Sequence, residues 1–113
     1  MDLRRPLIDK KLIWAIRQCA TGEGRVQVTY RAQQDMLRLD MTLKGVCEAI
    51  VDWIDGGREI IQDVSGHDRH AGKLFYIMSP EIDGEKRYIK VRIDEESDTV
   101  FLMIVVSAHE YEE

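Results

Sequence analysis

The sequence has little of what usually announces a function. Its only cysteines are Cys19 and Cys47, and no CxxC spacing exists, so there is neither a disulfide framework nor a paired-thiol motif. Both fall among apolar positions of helical spacing and read as buried, reduced thiols of a cytoplasmic protein. No apolar run is long enough to span a bilayer. The opening stretch MDLRRPLIDKKLIWAIRQ mixes acids and bases through its apolar positions, unlike a signal peptide. A G-x-S-x-G elbow, a P-loop, a dinucleotide fingerprint and an H-E-x-x-H pair are all missing. There is no excess of positive charge either. The formal net charge is −5 with a pI of about 5.2, which argues against wholesale electrostatic binding of nucleic acid but leaves room for a local basic site.

What is present is ordinary for a soluble globular chain. Hydrophobic residues make up 44% and charged ones 33% of 113 residues, enough for one domain with its own core. There are no repeats, low-complexity tracts or linkers. The expected layout is a single domain over 1–113, with an N-terminal arm at 1–8 and an acidic tail at 108–113.

The most informative stretch runs from Lys86 to Val106. Ile89, Val91 and Ile93 alternate with Tyr88, Lys90 and Arg92, the period of a half-buried strand. Val100 to Val106 is apolar throughout, as in a central strand covered on both sides. Glu95, Glu96, Ser97 and Asp98 form a polar turn between them, so the pair reads as an antiparallel hairpin at the heart of a sheet.

Earlier in the chain, Asp9 can cap a helix from Lys10 to about Ala20, ended by Thr21-Gly22-Glu23-Gly24. Arg25 to Tyr30 alternates as a short strand. Ala32 to Leu39 reads as a short helix breaking around Asp40. Thr42 caps a helix from Leu43 to about Ile54, stopped by Gly56-Gly57. Arg58 to Val64 and Lys73 to Met78 are strand candidates, separated by the polar loop Ser65 to Gly72, and Asp83-Gly84 is a hairpin turn. The order of elements implies an α+β fold with a mainly antiparallel twisted sheet and helices packed on one face.

Two constellations could carry chemistry. Tyr88, Lys90 and Arg92 line one face of a rigid strand. The plain reading is a solvent-facing strand. The sharper one is a phosphodiester-cleaving face, with Lys90 and Arg92 as cations for the developing phosphorane charge and Tyr88 relaying a proton or stacking on a base. His67, Asp68, Arg69 and His70 share one loop. Solvated loop, acid–base work by histidine and, least supported, metal ligation remain open there. Arg58, Arg69 and Lys73 could add phosphate contacts. The methionines, Trp14 and Trp53 read as core packing.

Taken together, the chain resembles the motility quorum-sensing regulator type of toxin (MqsR), within the wider RelE-like group of small ribonuclease toxins. Three stretches carry the resemblance. Lys11-Leu12 opens a helix leading at similar spacing to Val26-Gln27-Val28-Thr29-Tyr30-Arg31-Ala32 and Leu37-Arg38-Leu39-Asp40. Gly45-Val46-Cys47-Glu48-Ala49-Ile50 resembles the family's Gly-Met-Cys-x-x-Ile helix. Ser79-Pro80 followed by Tyr88-Ile89-Lys90-Val91 resembles its X-Pro loop and following strand.

The resemblance implies a RelE-like fold and a toxin that cleaves mRNA without metal or other cofactor, silenced by a cognate antitoxin protein, with no membrane partner. Of the family's active-site lysine, glutamine and tyrosine, the tyrosine carries over to Tyr88. The glutamine's place falls on Phe75 and the lysine's near Ile60, beside Arg58 and Gln62. Either Arg58, Lys73 or the His67/His70 loop substitutes, or the fold persists as a non-catalytic interaction module. The catalytic reading expects Arg58, Lys73, Tyr88 and Lys90 to converge on one concave patch.

Overall fold

The computed structural model describes residues 4–22, 24–64 and 73–112. Its elements follow from local chemistry. Helix α1 (Lys10–Ala20) starts where the Asp9 carboxylate accepts the N–H groups of Lys11 and Leu12 at 2.9 and 3.4 Å. It buries Ala15, Ile16 and Cys19. Helix α2 (Tyr30–Arg38) starts two residues earlier than the alternation suggests, because the Ala32 N–H donates to Thr29 Oγ1 at 3.2 Å and makes Thr29 a cap. Helix α3 (Leu43–Asp55) begins at Thr42, whose hydroxyl accepts the Gly45 N–H at 3.0 Å, and buries Val46, Ala49 and Ile50. None of the described helices is long and apolar enough to cross a membrane.

The strands are β1 (Arg5–Pro6), β2 (Arg25–Val28), β3 (Ile61–Val64), β4 (Leu74–Met78), β5 (Glu81–Ile82), β6 (Glu85–Glu95) and β7 (Phe101–Glu110). They form an open sheet in the order β1-β3-β4-β6-β7-β2, with β5 folded back on β6. Among the described strands every pairing is antiparallel except that of β2 with β7. The protein is thus α+β with a mostly antiparallel sheet, and the expected β6–β7 hairpin stands inside it. Asp83-Gly84 makes the tight β5–β6 turn, both residues at positive φ (54° and 82°), as a two-residue hairpin loop demands.

Several boundaries differ from expectation for physical reasons. β3 begins at Ile61 and not at Arg58, since the Arg58 N–H is still tied to the Trp53 carbonyl at the end of α3 (3.1 Å). The arm is partly built in: Arg5 and Pro6 pair with β3, with proline at the sheet edge where no ladder donor is required. β7 runs to Glu110, into the stretch read as a tail, and Ala108 within it is fully buried. α2 runs beside the second half of β7, beyond the point where β2 stops. Thr29 donates its backbone N–H to the Val105 carbonyl at 3.0 Å, and Arg38 grips the Glu110 carboxylate with two bonds of 2.8 and 2.9 Å.

The two faces of the sheet are distinct. Tyr76, Met78, Ile89, Val91, Met103, Val105 and Ala108 join Ile16, Cys19, Met36 and Ile50 in one helix-side core. Phe75, Ile77 and Leu102, at alternate positions, are buried too but stand outside that core, on the opposite face. Cys19 and Cys47 are free thiols within the helical layer, and burial pushes both pKa values up.

Candidate functional site on the open sheet face

The face of the sheet away from the helices carries the residues singled out on β6. Cross-strand partners share a face, so the register reads its composition directly. Lys90 lies between Ile77 and Ser107, and Tyr88 lies opposite His109. The Tyr88 and His109 rings stack with centroids 4.9 Å apart and planes 12° apart, an aromatic contact on the two longest strands of the sheet. Lys90 extends its ammonium over the Phe75 ring, 4.6 Å from the centroid. Among the described residues no carboxylate comes within ion-pair reach of Lys90.

Two further groups enter from β1 and β3. Arg4, just ahead of β1, pairs with Asp63 at 3.6 Å. Both lie close enough for their charges to act on the Tyr88 hydroxyl. Burial pushes the Tyr88 pKa up, Arg4 opposes that shift, and Asp63 adds to it. Tyr88 therefore stays a protonated phenol at neutral pH, able to donate a hydrogen bond or a proton but not to act as a ready base. His109 Nδ1 lies 2.8 Å from the Glu110 carbonyl oxygen.

The remaining sequence candidates distribute differently. Arg92 shares the face but pairs with Asp94, Nε to Oδ1 at 3.2 Å and the second contact at 3.3 Å, so its charge is already answered locally. Arg58 does not join Tyr88 and Lys90. The turn after α3 lays its guanidinium over the Trp53 ring at 5.2 Å, beside a cleft lined by Asp52, Pro80 and Glu81. Lys73 is exposed at the far end of β4. Met78 is level with Ile89, next to Tyr88, so Lys73 stands five residues away along the strand, about 17 Å at the usual rise. The expected convergence of Arg58, Lys73, Tyr88 and Lys90 on one concave patch is therefore corrected: Tyr88 and Lys90 share their face with His109, and Arg58 and Lys73 stand elsewhere. His67, Arg69 and His70 lie outside the described residues.

A cleft of about 440 Å³ opens on the other side of the molecule, by α3 and β5. Its lining sets Asp40, Glu48, Asp52, Glu81 and Asp83 against the single ammonium of Lys44, a net negative balance that disfavours phosphate. Among the described residues no group of three or more side chains is arranged to hold a metal ion.

Sequence reasoning missed His109, Arg4 and Asp63. A signal for His109 existed in the hairpin register, but it needed β7 to be carried past the end of its apolar run. The fold and this face together define an α+β protein with an open mixed sheet and a tyrosine–histidine–lysine cluster on the side away from the helices. No protein-family model, curated protein or solved structure matches the chain.

Proposed function

We propose that the protein is a small endoribonuclease that cleaves mRNA without a metal, the toxin of a toxin–antitoxin pair on a RelE-like scaffold, silenced by a cognate antitoxin protein. The observation that carries this reading is Tyr88 stacked on His109, with Lys90 on the same face of the same strand. Cleavage of RNA by its own 2′-hydroxyl needs a proton acceptor, a cation for the phosphorane charge and a donor near the departing oxygen. Lys90 is the cation, free of a carboxylate partner among the described residues. Tyr88, held protonated, is the donor or the platform on which a base stacks. Arg92 binds a neighbouring phosphate by exchanging Asp94 for it.

The test is cleavage of a mixed RNA by purified protein, read by end analysis. Tyr88→Phe and Lys90→Ala are each expected to lower the rate about 100-fold, the scale of a lost proton donor or transition-state cation, with the fold intact. Unchanged rates in both variants would remove this site assignment.

A second reading, a non-catalytic interaction module, is favoured by a different observation. Arg4 and Arg92 are both answered by carboxylates, and Arg58 sits on the helical layer, leaving a face of moderate charge around buried Phe75, Ile77 and Leu102. Expression in a bacterial host separates the two: growth arrest supports the toxin, and its absence together with inert purified protein supports the module.

A further inference from the structure

His109 has a hydrogen bond that decides which of its ring nitrogens is left over. A carbonyl oxygen only accepts, so the 2.8 Å contact between Nδ1 and the Glu110 carbonyl places a proton on Nδ1. In the neutral ring the lone pair is then on Nε2. The Tyr88 ring fixes the plane of the imidazole from one side. The end of β7 that carries it is held by the two bonds from Arg38 to the Glu110 carboxylate. On its own face the imidazole meets Tyr88, with Lys90 diagonal to it across the ladder and Arg4 and Asp63 beyond the Tyr88 hydroxyl; Arg87 and Glu110 are cross-strand partners toward the helix side, with Glu110 still near enough for its charge to be felt. A half-buried histidine with a defined tautomer, an oriented ring and an ammonium two residues from its cross-strand partner has the arrangement of an acid–base group, with the second nitrogen left for a substrate.

We propose that His109 is the general base of the ribonuclease reaction put forward above, on which this inference rests. Nε2 takes the proton of a ribose 2′-hydroxyl. The 2′ oxygen forms a bond to phosphorus as the bond from phosphorus to the 5′ oxygen breaks, and the departing oxygen takes a proton from the Tyr88 hydroxyl, which solvent then restores, or directly from water where Tyr88 serves as the stacking platform. The products are a 2′,3′-cyclic phosphate and a 5′-hydroxyl, with no change of oxidation state, and the imidazolium returns its proton to solvent. The substrate class follows from the step: a ribose hydroxyl is required at the cut, so DNA is not cleaved.

The experiment uses the full chain, an RNA oligonucleotide mixture and the same oligonucleotides with 2′-deoxyribose. Wild type is expected to leave cyclic phosphate ends on RNA and to spare the deoxy substrate. H109Q is expected to cleave about 10²- to 10⁴-fold more slowly, the range that general acid–base groups supply, and to lose the acidic limb of the pH–rate profile. Added imidazole is expected to restore part of the activity of H109A, a response that a merely structural histidine would not give. If wild type cleaves RNA and H109Q keeps its rate and pH profile, His109 is not the base, although the ribonuclease reading stands. If H109Q folds poorly, failure of imidazole to rescue H109A overturns the proposal equally. If wild type cleaves no RNA, both the inference and the function beneath it fall.

Discussion

Replacing Ile89 by alanine tests the division of the sheet into two faces, on which the site depends. Ile89 is fully buried, and its cross-strand neighbours on the helix side are Met78 and Ala108, both buried. The change removes three carbons, about 2.4 kcal/mol of transfer free energy at ~0.8 kcal/mol each. The residual cavity adds about 1 kcal/mol, because strands held by ladders on both sides cannot close over it. A loss of about 3 to 4 kcal/mol is a large share of the roughly 5 to 15 kcal/mol that holds a domain of this size together. Urea unfolding followed by far-ultraviolet circular dichroism and by the fluorescence of Trp14 and Trp53 reads it as a lower midpoint at unchanged slope. The flanking Lys90→Ala, on the open face, is expected to cost no more than about 1 kcal/mol. A one-residue slip in register would exchange the two faces. If Lys90→Ala proves as damaging as Ile89→Ala, or if Ile89→Ala costs under about 1 kcal/mol, the face assignment is wrong and the Tyr88–Lys90–His109 cluster goes with it.

Other outcomes follow from single contacts. Arg38 holds the Glu110 carboxyl down at about 2, so whatever stability this pair supplies is present above the unfolded carboxyl value of about 4.3 and is lost as pH falls toward 2. In Arg38→Gln the Glu110 side-chain carbon shift is expected to titrate in the ordinary carboxylate range; an unmoved titration would refute the pairing. Thr42→Ala removes the acceptor of the Gly45 N–H and is expected to lower stability by about 1 kcal/mol in urea. Gly24→Ala would set a methyl 2.8 Å from Cys19 Sγ and 3.0 Å from its Cα. Since Cys19 is fully buried, the strain is expected to cost about 1 to 3 kcal/mol, and a neutral result would show that this loop yields easily.

The parts of the fold legible in the sequence are those where local and tertiary demands agree. For α3, the Thr42 cap, the repeat through Val46 and Ile50 and the stop at Gly56-Gly57 all give the helix that forms. On β6 the alternation of Ile89 and Val91 with Tyr88 and Lys90 gives the correct faces, and Asp83-Gly84 gives its turn. Legibility ends where a long-range partner decides. Val26 and Val28 cannot say that β2 will lie parallel to β7, because that pairing is set by whole-sheet packing. Arg58 extends a strand pattern on paper, but its backbone is engaged by α3. Arg4 and Asp63 are 59 residues apart in the chain and meet only because the arm docks on β3.

The hardest feature to read was also the one that builds the site. From Phe101 to Val105 every second residue of β7 points to the helices, a rhythm that would send Ser107 and His109 inward and Ala108 out. The register instead steps between Lys90 and Val91: Val91 faces Val105, while Lys90 faces Ser107, and Val106 is the extra residue. That bulge resets the alternation. Ala108 turns in, small enough to be fully buried beneath α2, and His109 turns out beside Tyr88. The residues themselves support the shift, since an alanine suits the tight space under a helix and an imidazole with a hydrogen-bonded nitrogen suits a face open to water. The same step puts Glu110 on the helix side, where Arg38 of α2 waits for it. One inserted residue thus gives both the anchor that holds the strand end and the orientation of the ring proposed to do the chemistry, which is why a period-two reading of the apolar run could reach Tyr88 and Lys90 but not their partner.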